Sequence, residues 1–364
     1  MQLKYLFFAL ALLFTSNVSG QDLHFTQFHL APMNLNPALT GSYLGSYRLG
    51  GLYRDQYRSV NTSNGGDAVK SAKPYQTVSV FVDSPIIGGF RKQDWIGVGA
   101  NLYYDQAGSA LIRNVGTMFS LAYHLGLGKK GKSVFTLGVQ YGSVQRKLDT
   151  DQMELVSPIF LEQNSDPFLD QLMAQAASSN QGSGGNANLL GANYNHWNIG
   201  TLFTSELGKN ADMRAGVSVA HFTRPGQAFN GSLIQDRRNV RTTGFLTFYS
   251  DIGDRFTFIP GILIQNSGNT TELAIQTRGA LLINEEKEIS LTGGLGFRVV
   301  NAADLQVMVG MDYKNIRVGL AYDINLASFT EATNGSSGFE LGVTYLGKIY
   351  KKPKVDPLLI CPRL

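Results

Sequence analysis

The chain has 364 residues and a formal net charge of +4, and charged residues make up only 16% of it. A soluble domain usually carries about 25% charged residues, so this composition is poor in charge. The small net charge argues against a nucleic-acid partner, and the single cysteine, Cys361, excludes an internal disulfide.

The N-terminus has the pattern of a secretory signal peptide. Lys4 precedes an apolar run over residues 5–14, and small residues follow at 18–20. This predicts a signal peptide over 1–20 that is cleaved before Gln21. An N-terminal membrane anchor is the alternative, but the run is short for a span. No later stretch approaches twenty apolar residues, so the exported chain is expected in the periplasm, outside the cell or in an outer membrane.

Residues 21–45 are predicted to form an N-terminal periplasmic segment ahead of the first strand. Pro37 fixes its own φ and favours an extended Asn36, and Gly41 permits a tight turn. These three residues are interpreted as the motif of a plug tucked into a barrel or of an ordered lid beneath it. Contact with a periplasmic partner is a further interpretation.

From residue 46 to 350 the chain alternates between apolar and polar residues. In Ile289–Val299, for example, every odd position is apolar or glycine and every even position is small or polar. Such segments have one lipid-compatible face and one wet face, which is typical of a membrane β-barrel. We predict an all-β fold: a closed antiparallel transmembrane barrel of about fourteen strands. The predicted strands are 46–60, 75–83, 95–105, 115–125, 133–147, 197–206, 211–222, 239–250, 255–266, 271–283, 288–299, 304–313, 315–324 and 338–349.

Loop lengths provide an independent test of that topology. Outer-membrane barrels have short periplasmic turns and longer outer loops. All but the first of the even-numbered connections are tight, and five of the seven odd-numbered connections are long. The even set is 84–94, 126–132, 207–210, 251–254, 284–287 and 313–315, and the odd set is 61–74, 106–114, 148–196, 223–238, 267–270, 300–303 and 325–337. This sorting predicts an outer-membrane barrel with both termini periplasmic.

The first strand carries one charged face. Arg48, Arg54 and Arg58 share it, and an arginine facing lipid near mid-bilayer costs several kcal/mol. They are therefore expected to face inward and to pair with acids of late strands. The predicted polar network of the lumen consists of these arginines with Asp312 and Glu340, and Asp304 and Asp323 are further candidates. A structural role is favoured over ligand binding, which predicts a filled interior.

The connection 148–196 is the one large extracellular loop. Ser165 or Asp166 can cap a helix that Pro167 begins. Four apolar residues then share a helical face, namely Phe168, Leu169, Leu172 and Met173. We interpret this face as a partner-binding site or a cap over the barrel. Packing against the barrel rim is the alternative.

A C-terminal tail over residues 351–364 follows the last strand. It is basic at first, and Pro353, Pro357 and Pro362 favour an extended peptide. Two interpretations are open: docking on a periplasmic partner or re-entry into the barrel. The candidate partner-binding residues of the tail are Pro357, Cys361, Pro362 and Arg363, with a buried apolar role favoured for Cys361 over a reactive thiol.

Residue patterns that would support catalysis or metal binding are lacking in the sequence. The five histidines have no H-x-x-x-H or H-E-x-x-H spacing, and no phosphate-binding loop or G-x-S-x-G occurs. No catalytic residue, metal or cofactor is predicted. His221, near an outer strand end, is interpreted as part of an interfacial aromatic belt.

Several short motifs occur in a fixed order along the chain. They are Gln21–Phe28 (QDLHFTQF), Asn36–Ser42 (NPALTGS), Tyr53–Arg58 (YRDQYR), Asp105–Gly108 with Ala122–His124, Asn198–Gly200 with Ala215–His221, and Cys361–Leu364 (CPRL). Together they resemble the motifs of the PorP/SprF family of outer-membrane proteins of the type IX secretion and gliding system. Two positions differ from the family pattern: Tyr57 replaces a frequent Trp, and Leu364 replaces a frequent Phe.

The resemblance implies a non-enzymatic role in export or surface anchoring. Its expected partners are outer-membrane lipid, type IX secretion components and a secreted surface protein with a C-terminal sorting domain. It does not distinguish a component of the secretion machinery from an anchor for a surface protein. The alternative function is a fourteen-stranded outer-membrane channel for small or hydrophobic molecules, which requires a continuous path through the lumen.

Overall fold

The computed structural model describes residues 23–56, 74–88, 91, 93–107, 112–128, 132–149, 189–227, 237–300, 303–326 and 336–349. Fourteen antiparallel strands close into one barrel, in which each strand pairs with its sequence neighbours and β1 pairs with β14. The strands are β1 Tyr47–Gln56, β2 Tyr75–Gly88, β3 Trp95–Ala107, β4 Ile112–Leu127, β5 Ser133–Asp149, β6 Leu189–Glu206, β7 Ala211–Ala220, β8 Arg241–Ile252, β9 Phe256–Ser267, β10 Thr270–Asn284, β11 Ile289–Val299, β12 Ala303–Tyr313, β13 Ile316–Asn325 and β14 Ser336–Gly347.

The predicted fold class and strand number are confirmed. The alternation of the sequence becomes the alternation of burial: in β11, Leu295 is 59% exposed on the outside and Arg298 is 2% exposed on the inside. An apolar outer face and a polar inner face are the arrangement that a lipid bilayer requires of a barrel. No helix among the described residues is long and apolar enough to cross a membrane.

The largest difference from the predicted strands is in β6. It begins at Leu189, eight positions before the predicted start at 197, and the connection before it spans 150–188. The early part of β6 reads as loop in the sequence because Gly191, Asn193 and Asn195 are poor strand formers. Pairing with β5 as far as Asp149↔Leu189 overrides that preference.

The connections between strands sort by length at one end of the barrel. The strands that end there are joined by short connections, and we call it the short-turn end; its connections are 89–94, 128–132, 207–210, 253–255, 285–288 and 314–315. The first of these is shorter than predicted, because β2 continues to Gly88 through a bulge at Pro85/Ile87. The longest connections, 57–74, 150–188 and 221–240, all join strands at the opposite end, where 108–111 is shorter than the predicted 106–114.

Residues 23–46 lie inside the barrel and form what we call the inner segment. It contains a 3₁₀ turn at Phe28–Leu30, a one-turn helix α1 at Pro32–Leu35 and a second 3₁₀ turn at Pro37–Leu39. Leu23 accepts a hydrogen bond from Arg241 at the long-connection end of β8. Ser46 donates from its backbone N–H to Gly347 O at the short-turn end. The inner segment thus runs along the lumen before the chain enters β1.

Candidate functional site

The lumen is the one place where the predicted motifs of the N-terminus and the charged face of β1 meet. At its centre Thr26 contacts side chains from several strands. Its backbone N–H donates to Glu340 Oε1 at 2.6 Å, and its hydroxyl donates to Asp323 at 2.8 Å. Gln276 Nε2 donates to the carbonyl of Thr26 at 2.8 Å. A residue near the predicted start of the mature chain is therefore fastened to β10, β13 and β14.

Two buried arginines compensate the carboxylates around Thr26. Arg54 donates to Glu340 and, at 3.0 Å, to Asp323. Arg298 binds Asp323 at 2.9 Å and Asp304 at 2.7 Å. All five side chains are almost completely buried, so each charge depends on its partners rather than on water. We call these residues the Thr26 network.

The Thr26 network spans the closure of the barrel. Arg54 and Glu340 are direct partners in the β1–β14 register. The same cross-strand placement occurs on the other side of β1, where Arg48 and Asp83 are partners in the β1–β2 register. Arg48 binds Asp83 through Nε at 2.9 Å and Nη2 at 2.7 Å. Both arginines of β1 therefore connect the first strand to its two neighbours.

The predicted network differs from the observed one in two respects. Asp312 does not pair with an arginine of β1 but with Arg317, at 2.7 and 2.5 Å across the β12–β13 turn. Arg48 pairs with Asp83 of β2 rather than with a late strand. Arg58 lies outside the described residues. Short-range register decides the first two pairings, because a cross-strand neighbour is nearer than any strand across the lumen.

The motif Asn36–Pro37–Gly41 lies deep in the lumen. Asn36 is fully buried; its Nδ2 donates to the carbonyls of Thr201 at 3.0 Å and Val217 at 3.2 Å, and its Oδ1 accepts from Ala38 N at 2.8 Å. The amide thus connects β6 and β7 and caps the second 3₁₀ turn. Gly41 adopts φ +69°, a conformation that favours glycine, and its N–H donates to Asp83 at 2.7 Å.

Glycines on the inner face make room for this segment. A Cβ on Gly138 would overlap the backbone of Pro37 and Ala38, and one on Gly200 would overlap the Asn36 side chain. The sequence shows that the wet faces are rich in glycine. Only the structure shows why: a second layer of backbone, the inner segment, packs against the wall at these positions.

At the short-turn end the segment is held by aromatic residues. Trp95 Nε1 donates to Gly41 O at 2.9 Å, and its ring stacks on His124 with centroids 4.4 Å apart. His124 Nε2 lies 2.8 Å from Thr40 O. Sequence reasoning named Asp323 as a candidate partner of the β1 arginines, and Asp323 does bind Arg54. It missed Thr26, Arg298 and Trp95, although inward polarity on the alternating face was a signal for Arg298.

His221 does not belong to an interfacial belt. It is 5% exposed and its ring lies 4.4 Å from that of His196, whose side chain points inward. The strand has ended one residue earlier, and φ of +57° at His221 turns the side chain into the barrel. The predicted strand, 211–222, extends two residues beyond the observed end at Ala220.

The predicted partner-binding residues of the large loop and the tail lie outside the described residues. They are Phe168, Leu169, Leu172, Met173, Pro357, Cys361, Pro362 and Arg363. Within the described ranges, no group of three or more His, Cys, Asp or Glu side chains is arranged to hold a metal ion.

The closed fourteen-stranded wall with an apolar exterior defines an outer-membrane β-barrel, and its polar interior is occupied by the chain's own N-terminal residues. The chain belongs to the family described as type IX secretion system membrane protein PorP/SprF, which it matches over residues 17–345. It is therefore an outer-membrane barrel of the type IX secretion system.

Two solved structures of similar fold are mutants of a monoaromatic hydrocarbon channel. The deltaS2 mutant of the TodX monoaromatic hydrocarbon channel is 13% identical, with a TM-score of 0.51 over 88% of this chain and 94% of that one. The deltaS2S3 mutant of TodX is 12% identical, with a TM-score of 0.52 over the same shares. At such identity the likeness concerns the fold alone. A search of curated proteins finds no match.

Proposed function

We propose that this protein is a non-enzymatic, partner-binding barrel of the type IX secretion system, with its interior closed by the inner segment. The short-turn end faces the periplasm and the long connections face the cell exterior. In this arrangement the chain binds secretion components or a secreted surface protein at its two ends, supporting export, surface anchoring or gliding.

The observation that carries the proposal is the way in which the lumen is filled. The inner segment is fixed by the Thr26 network, by Asn36 and by the Trp95–Gly41 hydrogen bond, which lie at different heights in the barrel. Buried charges that are paired and hydrogen-bonded hold one geometry, because each displaced group would be left unpaired in a dry environment. A channel needs a path that such a segment obstructs.

Partner binding is tested by affinity purification of the full chain from detergent-solubilised outer membranes. We expect co-purification of type IX components or of a large secreted protein with a C-terminal sorting domain. The same preparation is reconstituted in planar bilayers, where we expect no steady single-channel conductance. Steady conductance together with no protein partner would contradict the proposal and favour the channel function.

A further inference from the structure

A cavity of about 220 Å³ lies between the inner segment and the barrel wall. The wall contributes residues near the short turns of β7 to β13, and the inner segment contributes Phe28, His29 and Leu30. A smaller cavity of about 50 Å³ shares His29 and Arg317 with it and extends to Lys314 and Asn315 in the turn 314–315. The smaller cavity therefore lies beside the larger one, on the side of the short-turn rim.

The wall of the larger cavity is rich in arginine. Arg48, Arg214, Arg278 and Arg317 line it, and Asp312 is the one acidic residue among the described residues that do so. That carboxylate is held in two hydrogen bonds by Arg317. Arg48 is held by Asp83, as described above.

Arg278 is a member of this group for which the described residues provide no ion-pair partner. It is 6% exposed, and within the described chain no carboxylate forms an ion pair with it and its Nε has no hydrogen-bond partner. Its neighbour is the Tyr249 hydroxyl, and the Arg214 guanidinium lies 5.7 Å from the ring centroid of the same tyrosine. A buried guanidinium without a carboxylate is costly, and an anion in the cavity would remove that cost.

His29 supplies a second polar atom without a partner. Its Nδ1 is buried and has no hydrogen-bond partner among the described residues.

The rest of the lining is partly apolar and partly polar. Phe28, Leu35, Phe245, Ile259 and Met308 contribute apolar surface, and polar side chains lie between them at Gln27, Thr247, Thr257, Ser290 and Thr292. An apolar cavity of about 150 Å³ is large enough for benzene, so this one has room for a ring of that size with a carboxylate attached. Apolar walls with a few placed polar groups are typical of small-molecule sites.

We propose that this cavity is a binding site for a small organic carboxylate with an apolar body, which enters from the short-turn end. Its carboxylate binds Arg278, with Tyr249 and Arg214 beside it, and its apolar part packs against Phe28 and Phe245. The site is independent of the protein partners proposed above.

The test is calorimetric titration of the purified full-length barrel in detergent with benzoate, benzamide and inorganic phosphate. Benzamide has the shape without the charge, and phosphate has the charge without the apolar body. We expect saturable binding of benzoate, with a dissociation constant at least about tenfold below those of benzamide and phosphate. Benzamide lacks the hydrogen bonds to a charged group, which contribute about that factor, and phosphate lacks the contact with Phe28 and Phe245. No saturable binding of benzoate would mean that the cavity holds water only, and equal binding of benzamide or phosphate would equally overturn the proposal.

Variants locate the site. Arg278→Gln is expected to weaken benzoate binding about tenfold or more, whereas Arg255→Gln, in the exposed turn 253–255, leaves it unchanged. Circular dichroism verifies that each barrel is folded. If Arg278→Gln does not fold, Tyr249→Phe and Arg214→Gln serve instead, with the same expected direction. Unchanged benzoate affinity in folded variants would refute the site.

Discussion

At the scale of single residues, the inner face of this barrel is a set of charges that depend on one another. Asp323 receives hydrogen bonds from Arg54, Arg298 and Thr26 at 3.0, 2.9 and 2.8 Å. These side chains are buried away from bulk water. Removing one of them therefore leaves its partners buried without a hydrogen bond, at the full cost of their desolvation. Replacing a member of this group therefore affects both the barrel closure and the inner segment.

Glu340→Gln tests this dependence. The variant removes the charge that Arg54 binds, and the new amide cannot accept from both the Thr26 and Gln27 backbone N–H groups. We expect a loss of about 3–5 kcal/mol in the free energy of unfolding, the range for breaking a buried ion pair. Urea unfolding of the detergent-solubilised barrel measures it. Glu285→Gln, in the exposed turn 285–288, is the matched control and should change stability little.

Asn36→Ala probes the contact of the inner segment with β6 and β7. It removes two hydrogen bonds to strand carbonyls and the cap of the second 3₁₀ turn. The barrel wall is untouched, so we expect a barrel that still forms, destabilised by about 1–3 kcal/mol. Limited proteolysis should cut the inner segment faster in the variant, and an unchanged cleavage rate would contradict this role.

At the scale of elements, the inner segment and the glycines opposite it are one packing unit. Gly200→Val would place a branched side chain where Asn36 lies. We expect the strand to accept valine, a good strand former, and the inner segment to be displaced. Conductance in planar bilayers should then rise above that of the parent.

Gly244→Val is the control for that substitution. A Cβ at Gly244 meets no atom within 4 Å, so valine is accommodated on the wall without touching the inner segment. Its conductance should equal that of the parent. An increase as large as that of Gly200→Val would show that the effect does not come from displacing the inner segment.

The turn between β2 and β3 contains a carboxylate whose charge stabilises the fold. Burial raises the pKa of Asp94, but hydrogen bonds from Arg91, Tyr123 and the Gly126 N–H outweigh it and hold this pKa below its ordinary value. Since the folded pKa is the lower one, the stabilisation is present above the unfolded pKa and is lost as the pH falls through the folded value.

Asp94→Asn removes this pH-dependent stabilisation. At pH 7 we expect the variant to be less stable than the parent by about 1–3 kcal/mol. The difference should shrink as the pH falls below about 4, the ordinary pKa of an aspartate, because the unfolded parent chain then begins to bind a proton at this residue before the folded protein does. Urea unfolding at a series of pH values measures it, and a difference that does not depend on pH would exclude the charge as the cause.

At the scale of the whole molecule, the two ends of the barrel differ in the lengths of their connections. One end has only short turns, and the other has long connections, of which 57–73 and 150–188 lie outside the described residues. Short periplasmic turns and long outer loops are the general arrangement of outer-membrane barrels. The orientation that we propose follows from this asymmetry.

Cysteine labelling tests the orientation. In a Cys361→Ser background, Thr223→Cys lies in the long β7–β8 connection and Lys209→Cys in the turn 207–210, and both parent residues are exposed. A membrane-impermeant maleimide should label position 223 in intact cells and position 209 only after the outer membrane is opened. The reverse result would invert the proposed topology.

The sequence by itself determined the wall of this barrel. The side chains of a strand alternate with a period of two, and a bilayer requires one apolar face. The outward direction of Leu295 and the inward direction of Arg298 can therefore be predicted without any knowledge of the rest of the chain. The same alternation led to the count of about fourteen strands. The parity of loop lengths and the order of short motifs are likewise read along the chain, and they led to the outer-membrane topology and to the family resemblance. The start of β6 was missed because pairing with β5, not local preference, extends that strand.

Only the tertiary structure decided which residues fill the lumen inside this wall. That Thr26 meets Asp323 and Glu340, some three hundred positions further along the chain, follows from closure of β1 on β14. The glycines at 138 and 200 are explained only once the inner segment lies against them. Among the described residues, the lack of an ion-pair partner at Arg278 is seen only once the other pairs are assigned. Long-range pairing in a closed lumen depends on three-dimensional register, which periodicity along the chain does not contain.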